Sequence, residues 1–495
     1  MTHLECGSID YSGGWPTLTS HLRSMARALP ASSSWKCVRS KPNRVFSRPL
    51  GMTECGFYWD SQLDGTADTL RMIAIEACDT SVRIDEEVVG AAWLQMKQHF
   101  PLLAASVSEL PDGWVQFEVD EDRLAQHHSL EITFLPAASA TEADAISDDL
   151  LYHKGFENRQ LSNDHLCRLY VMQDSQNQNT FYIVFLVSHM ITDGIAHASI
   201  LRNFLNLLSS DIHSVNPGSL EERLASCVAS ENLVPSSGLP IARQRWRKAI
   251  ASIILKNRRK SFIGGHTLPR RWTAASPFIA GRSYHTSVTF PVSTSSRFIA
   301  SCRSNGQTFG SAYPVIGQLA LTRLLARQYA LGNINQDEWE FRLRERMYTA
   351  GPINLRPYLD QDWLKEKRGH ESVCLSIAFG FYALPRMPVP RSLRPGDPAP
   401  GFDQLLSKSQ FFARCSMVKQ QVKDYMKHPL FVEMAASITP ARVPRMKNVV
   451  ERWRQGEPDN ANEKQLTVQE QAAQGLVTGH GGSSLGNVST ALRSV

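Results

Sequence analysis

The stretch FYIVFLVSHMITDGIAHASI, from Phe181 to Ile200, changes its period once, and that change decides the reading. Phe181 to Val187 is apolar throughout, aromatic and β-branched, and follows the polar loop DSQNQNT. Such a run predicts a strand buried on both faces. Beyond Ile195 the apolar residues Leu201, Phe204, Leu205 and Leu208 fall at helical spacing, with Arg202 and Asn203 between them. The segment therefore reads as strand, tight turn and helix. His189 stands at the strand's end and Asp193-Gly194 lies in the turn.

Working outward toward the N-terminus, CRLYVMQ predicts a strand that partners the first. In DEEVVGAAWLQMKQHF the positions Val89, Trp93, Met96 and Phe100 make one helical face, and Asp85, Glu86 and Glu87 suit a helix start. PLLAASVSELPDGWVQFEV reads as two strands joined at Pro111-Asp112-Gly113. The first fifty residues, rich in Ser, Pro, Trp and basic side chains, read as an irregular lead-in. Toward the C-terminus, residues 209–278 change character to a connector holding the basic segment RQRWRKAIASIILKNRRK. A second half then restarts with strand-like SYHTSVTFPV, a helix begun near Thr308 and Pro314, strand-like YTAGPINLRPYL and SVCLSIAFGFYALP, the loop RPGDPAPG and the helical QLLSKSQFFARCSMVKQQVKDYMK. After Arg452 the chain turns polar until GHGGSSLGNVSTALRSV. The organisation expected is 1–208, 209–278 and 279–495.

At 495 residues, two domains or large subdomains are the natural expectation. A hydrophobic content of 42% and a charged content of 20% are those of an ordinary globular chain. The formal charge of +6 is mild and suits anionic small molecules without arguing for nucleic acid. The nine cysteines are scattered with no CxxC pair, so neither a zinc site nor a disulfide framework is indicated. MTHLECGSIDYSGGWP lacks the pattern of a signal peptide, and no run approaches the ~18 apolar residues of a membrane span. A cytoplasmic protein is expected.

His189, Asp193 and Gly194 form HxxxDG. Composition alone would give such a match in roughly one chain of this kind in twenty. Its placement adds weight, because a strand end followed by a helix lets side chains reach a cleft. On placement alone two readings stand, a reactive imidazole and a histidine that caps local backbone beside an Asp-Gly turn.

HxxxDG after a buried strand resembles the hallmark of the CoA-dependent acyltransferase superfamily. That superfamily includes chloramphenicol acetyltransferase, the plant BAHD acyltransferases, alcohol acetyltransferases and nonribosomal peptide condensation domains. RPLGMTECGFYWDSQLDGTADTLRM, AAWLQMKQHFPLLAASV, PINLRPYL and GGSSLGNV together look like its fungal secondary-metabolite branch, which contains trichothecene 15-O-acetyltransferases. The resemblance runs from about Asn43 to Val488.

It implies an α/β (α+β) fold of two chloramphenicol-acetyltransferase-like subdomains, each a mixed sheet with helices, and a tunnel between them. It implies an O-acetyltransferase that moves an acetyl group from acetyl-CoA to a hydroxyl of a trichothecene-like sesquiterpenoid. His189 would be the general base, since a neutral imidazole accepts a proton near neutral pH. Asp193 would order the turn through an arginine, with Arg356 in PINLRP the candidate, as a bidentate pair fixes geometry well. Gly194 would keep the tunnel open where a Cβ would crowd it, and Ser483 or Ser484 would donate to the oxyanion. The expected partners are acetyl-CoA as co-substrate and a small hydroxylated acceptor. No metal, cofactor or nucleic acid is expected, and the protein is expected to be a monomer.

Three departures bear on these expectations. Ser188-His189 replaces the histidine pair of condensation domains. The plant DFGWG motif is absent. The chain ends nine residues after Gly486, where family members continue with further strands, so an incomplete second subdomain is expected. A condensation-type enzyme taking acyl groups from a carrier protein, and an inactive truncated paralogue, are the alternatives. Gly482 to Gly486 also matches G-x-S-x-G, but a serine hydrolase needs an acid and a histidine after its serine, and no histidine follows His480. The basic segment 243–260 could bind nucleic acid or a membrane surface, and reads more simply as a crossover helix with a solvated basic face.

Overall fold

The computed structural model describes residues 34–40, 42–77, 83–111, 113–152, 159–209, 218–260, 266–267, 285–387, 389–390, 392–456 and 478–484. The run Phe181 to Val187 lies in β8 (Thr180–Ser188), and its place in a sheet explains its composition. The sheet order is β3 (Asp68–Glu76), β8, β7 (Cys167–Gln173) and β6 (Ile132–Phe134). β8 is antiparallel to both of its neighbours, while β6 runs parallel to β7. One face of β8 puts Ile183, Phe185 and Val187 into the main core. The other puts Tyr182, Val184 and Leu186 against Ala143 and Leu150 of α3 (Ala140–Tyr152). With both faces covered, the run Phe181 to Val187 has no solvent face to favour polar residues, and the polar Thr180 and Ser188 stand only at the strand's two ends.

Before this sheet come β1 (Lys36–Arg39), β2 (Val45–Pro49), α1 (Met52–Gln62) and, after β3, α2 (Glu86–His99). The helix expected from Val89, Trp93, Met96 and Phe100 is α2 with Phe100 at its end, and all four are buried. Its cap Asp85 accepts from Val88 N at 3.0 Å. The expected hairpin is β4 (Ser106–Glu109) and β5 (Val115–Asp120), turning through Gly113 at φ 83°. The lead-in is less irregular than its composition suggests, because β1 and β2 extend that hairpin in the order β1-β2-β5-β4. α1 starts at Gly51, whose N–H donates to Glu54 at 2.6 Å, and a Cβ at Gly51 would meet Ala229 Cβ at 2.5 Å. Glu54 also receives both terminal nitrogens of buried Arg48, at 2.8 and 2.9 Å.

Helix α4 (Gly194–Ser209) follows the HxxxDG turn and packs on α2. The basic segment is helix α5 (Ile241–Lys260). In the second half, α6 (Phe309–Ala330) is capped by Thr308 and packs on α7 (Lys408–Met426). β9 (Met347–Asn354) lies between β10 (Ile377–Leu384), antiparallel, and β11 (Thr478–Gly481), parallel. Val315, Leu325, Tyr329, Met347, Leu384 and Val418 form this half's own core. The main core is not confined to the first half, because Leu355, Trp363, Val373 to Leu375 and Phe431 enter it.

Two sequence expectations need correction. SYHTSVTFPV is not a strand within its described part: residues 285–291 pair with no sheet among the described residues, and Val288 and Phe290 are 76% and 63% exposed. Its alternation is that of a strand, but the pairing that would make it one is absent there. The polar region near Arg452 is preceded by a helix the sequence reading passed over, α9 (Thr439–Arg454), which packs on α1 and follows the short α8 (Phe431–Ala436). Pro440 falls in its first turn, where a missing N–H costs nothing. No helix among the described residues is long and apolar enough to cross a membrane.

Candidate functional site

β8 ends at Ser188, so His189 leaves the sheet where the chain turns into α4. Its backbone N–H still donates to Ala67 O at 3.2 Å, which ties the turn to the strand-side backbone. The imidazole is half-buried and lies against the ring of Phe57 in α1, with centroids 4.1 Å apart and planes 21° from parallel. Nδ1 is 2.7 Å from the carbonyl oxygen of Thr192. A carbonyl can only accept, so Nδ1 carries the proton and the Nε2 lone pair is the basic one. Burial pushes the imidazole below its ordinary value, and the bond to Thr192 offsets part of that. The arrangement is a neutral imidazole of fixed tautomer.

Asp193 is buried, and both of its carboxylate oxygens are occupied. Oδ1 accepts from Ile195 N at 3.0 Å and Ala196 N at 2.9 Å, which caps α4. Oδ2 accepts from Ser376 N at 2.8 Å. Arg356 completes the shell, with Nη1 at 3.0 and 2.8 Å from the two oxygens. The expected partner is thus in place, but the fork is not. One nitrogen serves both oxygens, while Nη2 donates to Cys374 O at 2.8 Å. Arg356 cannot turn both nitrogens to Asp193 because it also holds the 372–376 loop. Desolvation opposes charge on Asp193, but the Arg356 charge and the backbone donors outweigh it and hold the carboxyl below its usual value. Gly194, half-buried, is the first residue of α4.

The structure brings His189, Asp193, Gly194 and Arg356 together across a separation of 163 residues between the ion-pair partners. Ser483 and Ser484 are exposed and follow β11. The adjoining Gly482 is held by Tyr313, whose hydroxyl donates to its carbonyl at 2.8 Å, and a Cβ there would lie 1.9 Å from the Tyr313 ring. That segment is therefore fastened to the second half's own core, while Arg356 and Ser376 reach into the first. The rest of the G-x-S-x-G match, from Leu485, lies outside the described residues.

Beside this group a small cleft is lined by Thr53, Glu231, Leu355, Phe379, Val432 and Arg442, among others from both halves. His189 is not in its lining. A chain of contacts joins them: the Arg442 guanidinium lies 5.1 Å from the centroid of the Phe57 ring, on which His189 stacks. Arg442 also pairs with Asp60. Sequence reasoning missed Phe57, Thr192, Glu231 and Arg442. Only the spacing of Thr192 from His189 carried a local signal, since a strand-end histidine needs a nearby carbonyl. Glu231 is set by tertiary packing, and burial raises its carboxyl above the usual range while Thr53 N donates to it at 2.7 Å.

A second histidine, His197, clarifies the first. Thr69 Oγ1 donates to Val187 O at 2.7 Å, so it must accept from His197 Nε2 at 2.8 Å. That fixes the opposite tautomer in a fully buried ring whose Nδ1 has no hydrogen-bond partner among the described residues. His197 is fully buried, while His189 keeps partial exposure at the strand's end. Among the described residues no group of three or more His, Cys, Asp or Glu side chains could hold a metal ion.

No protein-family model matches the chain, and no curated protein sequence does. Solved structures do match. The trichothecene 15-O-acetyltransferase from Fusarium sporotrichioides aligns with a TM-score of 0.59 at 12% identity, covering 85% of this chain and 80% of that one. Polyketide synthase associated protein 5 from Mycobacterium tuberculosis aligns with a TM-score of 0.46 at 14% identity, over 78% and 75% of the two chains. The first condensation domain of the calcium-dependent antibiotic synthetase gives 0.45 at 11% identity, over 77% and 74%. At such identities the likeness is one of fold. The chain has the two-lobed, mixed α/β architecture of the first of these structures.

Proposed function

We propose that this protein is an acyltransferase that moves an acetyl group from acetyl-CoA to a hydroxyl of a small, trichothecene-like sesquiterpenoid, with His189 as general base. The observation that carries the reading is the bond from His189 Nδ1 to Thr192 O, which leaves Nε2 as a basic lone pair on a neutral ring. In the reaction, Nε2 takes the acceptor's hydroxyl proton as that oxygen attacks the thioester carbonyl carbon. The tetrahedral adduct then collapses with cleavage of the C–S bond. The proton on Nε2 passes to the departing thiolate, so the imidazole ends as it began and no redox partner is called for.

Asp193 is a positioning residue in this scheme. Its oxygens already accept from Ile195, Ala196, Ser376 and Arg356, which leaves no lone pair for substrate. Ser483 or Ser484 would serve the oxyanion only if a bound substrate drew that exposed segment inward. The protein is proposed to act in the cytoplasm as a monomer, with acetyl-CoA as co-substrate and no resident cofactor.

The test is release of free CoA thiol from acetyl-CoA, with a panel of hydroxylated sesquiterpenoids as acceptors and mass spectrometry of the ester. Acceptor-dependent release that is lost in His189→Ala supports the reading. Equal release by wild type and His189→Ala, or transfer only from a carrier-protein thioester, refutes it.

A further inference from the structure

Helix α5 (Ile241–Lys260) carries no Asp or Glu in its length and has two unlike sides. The inner side is fastened to the body. Ala251 and Leu255 are buried, Arg247 Nε donates to Glu433 at 2.5 Å, Ser252 Oγ to Ser437 Oγ at 3.1 Å, and the helix packs along α8. The outer side holds Ala242, Trp246, Ala249 and Ile253, spaced by four, three and four residues and so on one stripe of the helix. Trp246 is 61% exposed and Ile253 46%. Arg243, Arg245 and Lys248 are exposed around this stripe.

We infer that the outer side of α5 docks on an anionic membrane surface, with Trp246 and Ile253 entering the headgroup region and the cations facing acidic lipid. The argument is one of complementarity. A convex stripe of an indole and an aliphatic side chain has no groove of its own and needs none from a fluid interface. Cations flanking an apolar stripe, rather than occupying its centre, suit headgroups on either side of a shallow insertion. A nucleic acid would want the cations in the middle of the contact, and a protein partner would have to supply a matching acidic groove. The inference is independent of the acyl-transfer reading.

The experiment is co-sedimentation of the full chain with phosphatidylcholine vesicles, with and without about 30% phosphatidylserine, at low and high salt. Binding is expected only to the anionic vesicles and is expected to weaken with salt. Trp246→Ala with Ile253→Ser, and separately Arg243→Glu with Arg245→Glu and Lys248→Glu, should each weaken it about tenfold or more. Leu331→Ser, which alters an exposed leucine elsewhere, should leave it unchanged. All of these variants lie on the surface, so the melting temperature should stay at the wild-type value. Failure of the wild type to bind anionic vesicles overturns the inference. So does binding that survives the Trp246/Ile253 pair, or equal binding to polyglutamate or duplex DNA, which would make the helix a general polyanion site.

Discussion

In the first half a four-stranded sheet buries β8 on both faces and delivers one imidazole at its end. In the second a three-stranded sheet, in which β10 alternates between half-buried and buried positions, delivers the groups that hold that imidazole's surroundings. His189, Thr192 and Phe57 come from the first; Arg356, Ser376 and Arg442 come from the second. The contrast extends to the two buried arginine–carboxylate pairs. Arg48 and Glu54 are six residues apart and form a full fork that closes the start of α1. Arg356 and Asp193 are 163 residues apart, and Arg356 divides its nitrogens between the carboxylate and the 372–376 loop. The local pair fixes an element; the distant pair fixes the relation of the halves around the site. The chemistry can then belong to one half while its geometry depends on both.

The sharpest test of that division is His189→Ala. It should lower the transfer rate by ~10²–10⁴ while leaving the melting temperature nearly unchanged, since the ring is half-buried and its neighbours are not left unpaired apart from one carbonyl. A large loss of stability would mean that His189 is a structural cap, and the comparison would fail at its first term.

Arg356→Ala should act on both quantities. Removing one partner of a buried pair leaves the other charge uncompensated, at a cost of about 3–5 kcal/mol. Urea melts should show that loss, with acyl transfer reduced in the fraction that remains folded. Asp193→Asn should give a smaller fall in each. The double variant should be less destabilised than the sum of the singles, because the two share one interaction. Strict additivity would separate the residues and remove the link between the halves. Arg48→Met, by contrast, should destabilise without altering the rate per folded molecule.

Acid should weaken the fold before it reaches the carboxylates. Burial lowers His189, His197 and His266, the last to about 4. Each is neutral in the fold, and each takes up a proton near pH ~6.5 when unfolded. The unfolded state therefore binds more protons below that point, so stability is full above it and falls as the pH drops, for His266 down to about 4. Melting temperatures recorded from pH 7.5 downward should decline, starting near ~6.5. A flat profile to pH 5 would contradict the burial assigned to these rings.

The parts of the molecule that were legible in sequence are those whose cause is local. β8, α2, the β4–β5 hairpin and the turn that carries His189 follow from apolar period, caps and turn residues within a few positions. Arg356 as partner of Asp193 came from resemblance, since nothing near either residue announces the other. Residues 285–291 show the limit from the other side: the alternation of Val288, Phe290 and Val292 is right for a strand, but a strand exists only where another pairs with it. α9 was hidden by Pro440 and Pro444 and by its polarity, so Arg442 could not be seen approaching Phe57. Glu231 and Phe57 gave no signal, because their places are set by packing between segments far apart in the chain.

Arg442 offers the smallest and finest test of how the second half reaches the base. Its guanidinium opposes a proton on His189, and burial, the larger cause, acts in the same direction. Removing that charge should raise the imidazole's pKa, so the acid limb of the rate profile should move to higher pH. Arg442 also neutralises Asp60, and Arg442→Gln alone would leave a buried carboxylate that blurs the result. The cleaner variant is Arg442→Gln with Asp60→Asn, which removes both charges and keeps the polar shapes. The pH dependence of kcat/KM for this pair should show the acid limb displaced upward, with the plateau rate close to wild type. An unmoved limb would mean that Arg442 serves only to pack Phe57. A downward shift would mean that loss of the Asp60 carboxylate, a first-half group, outweighs loss of the Arg442 guanidinium at His189. In either case the second half would set the position of the base and leave its basicity to the first.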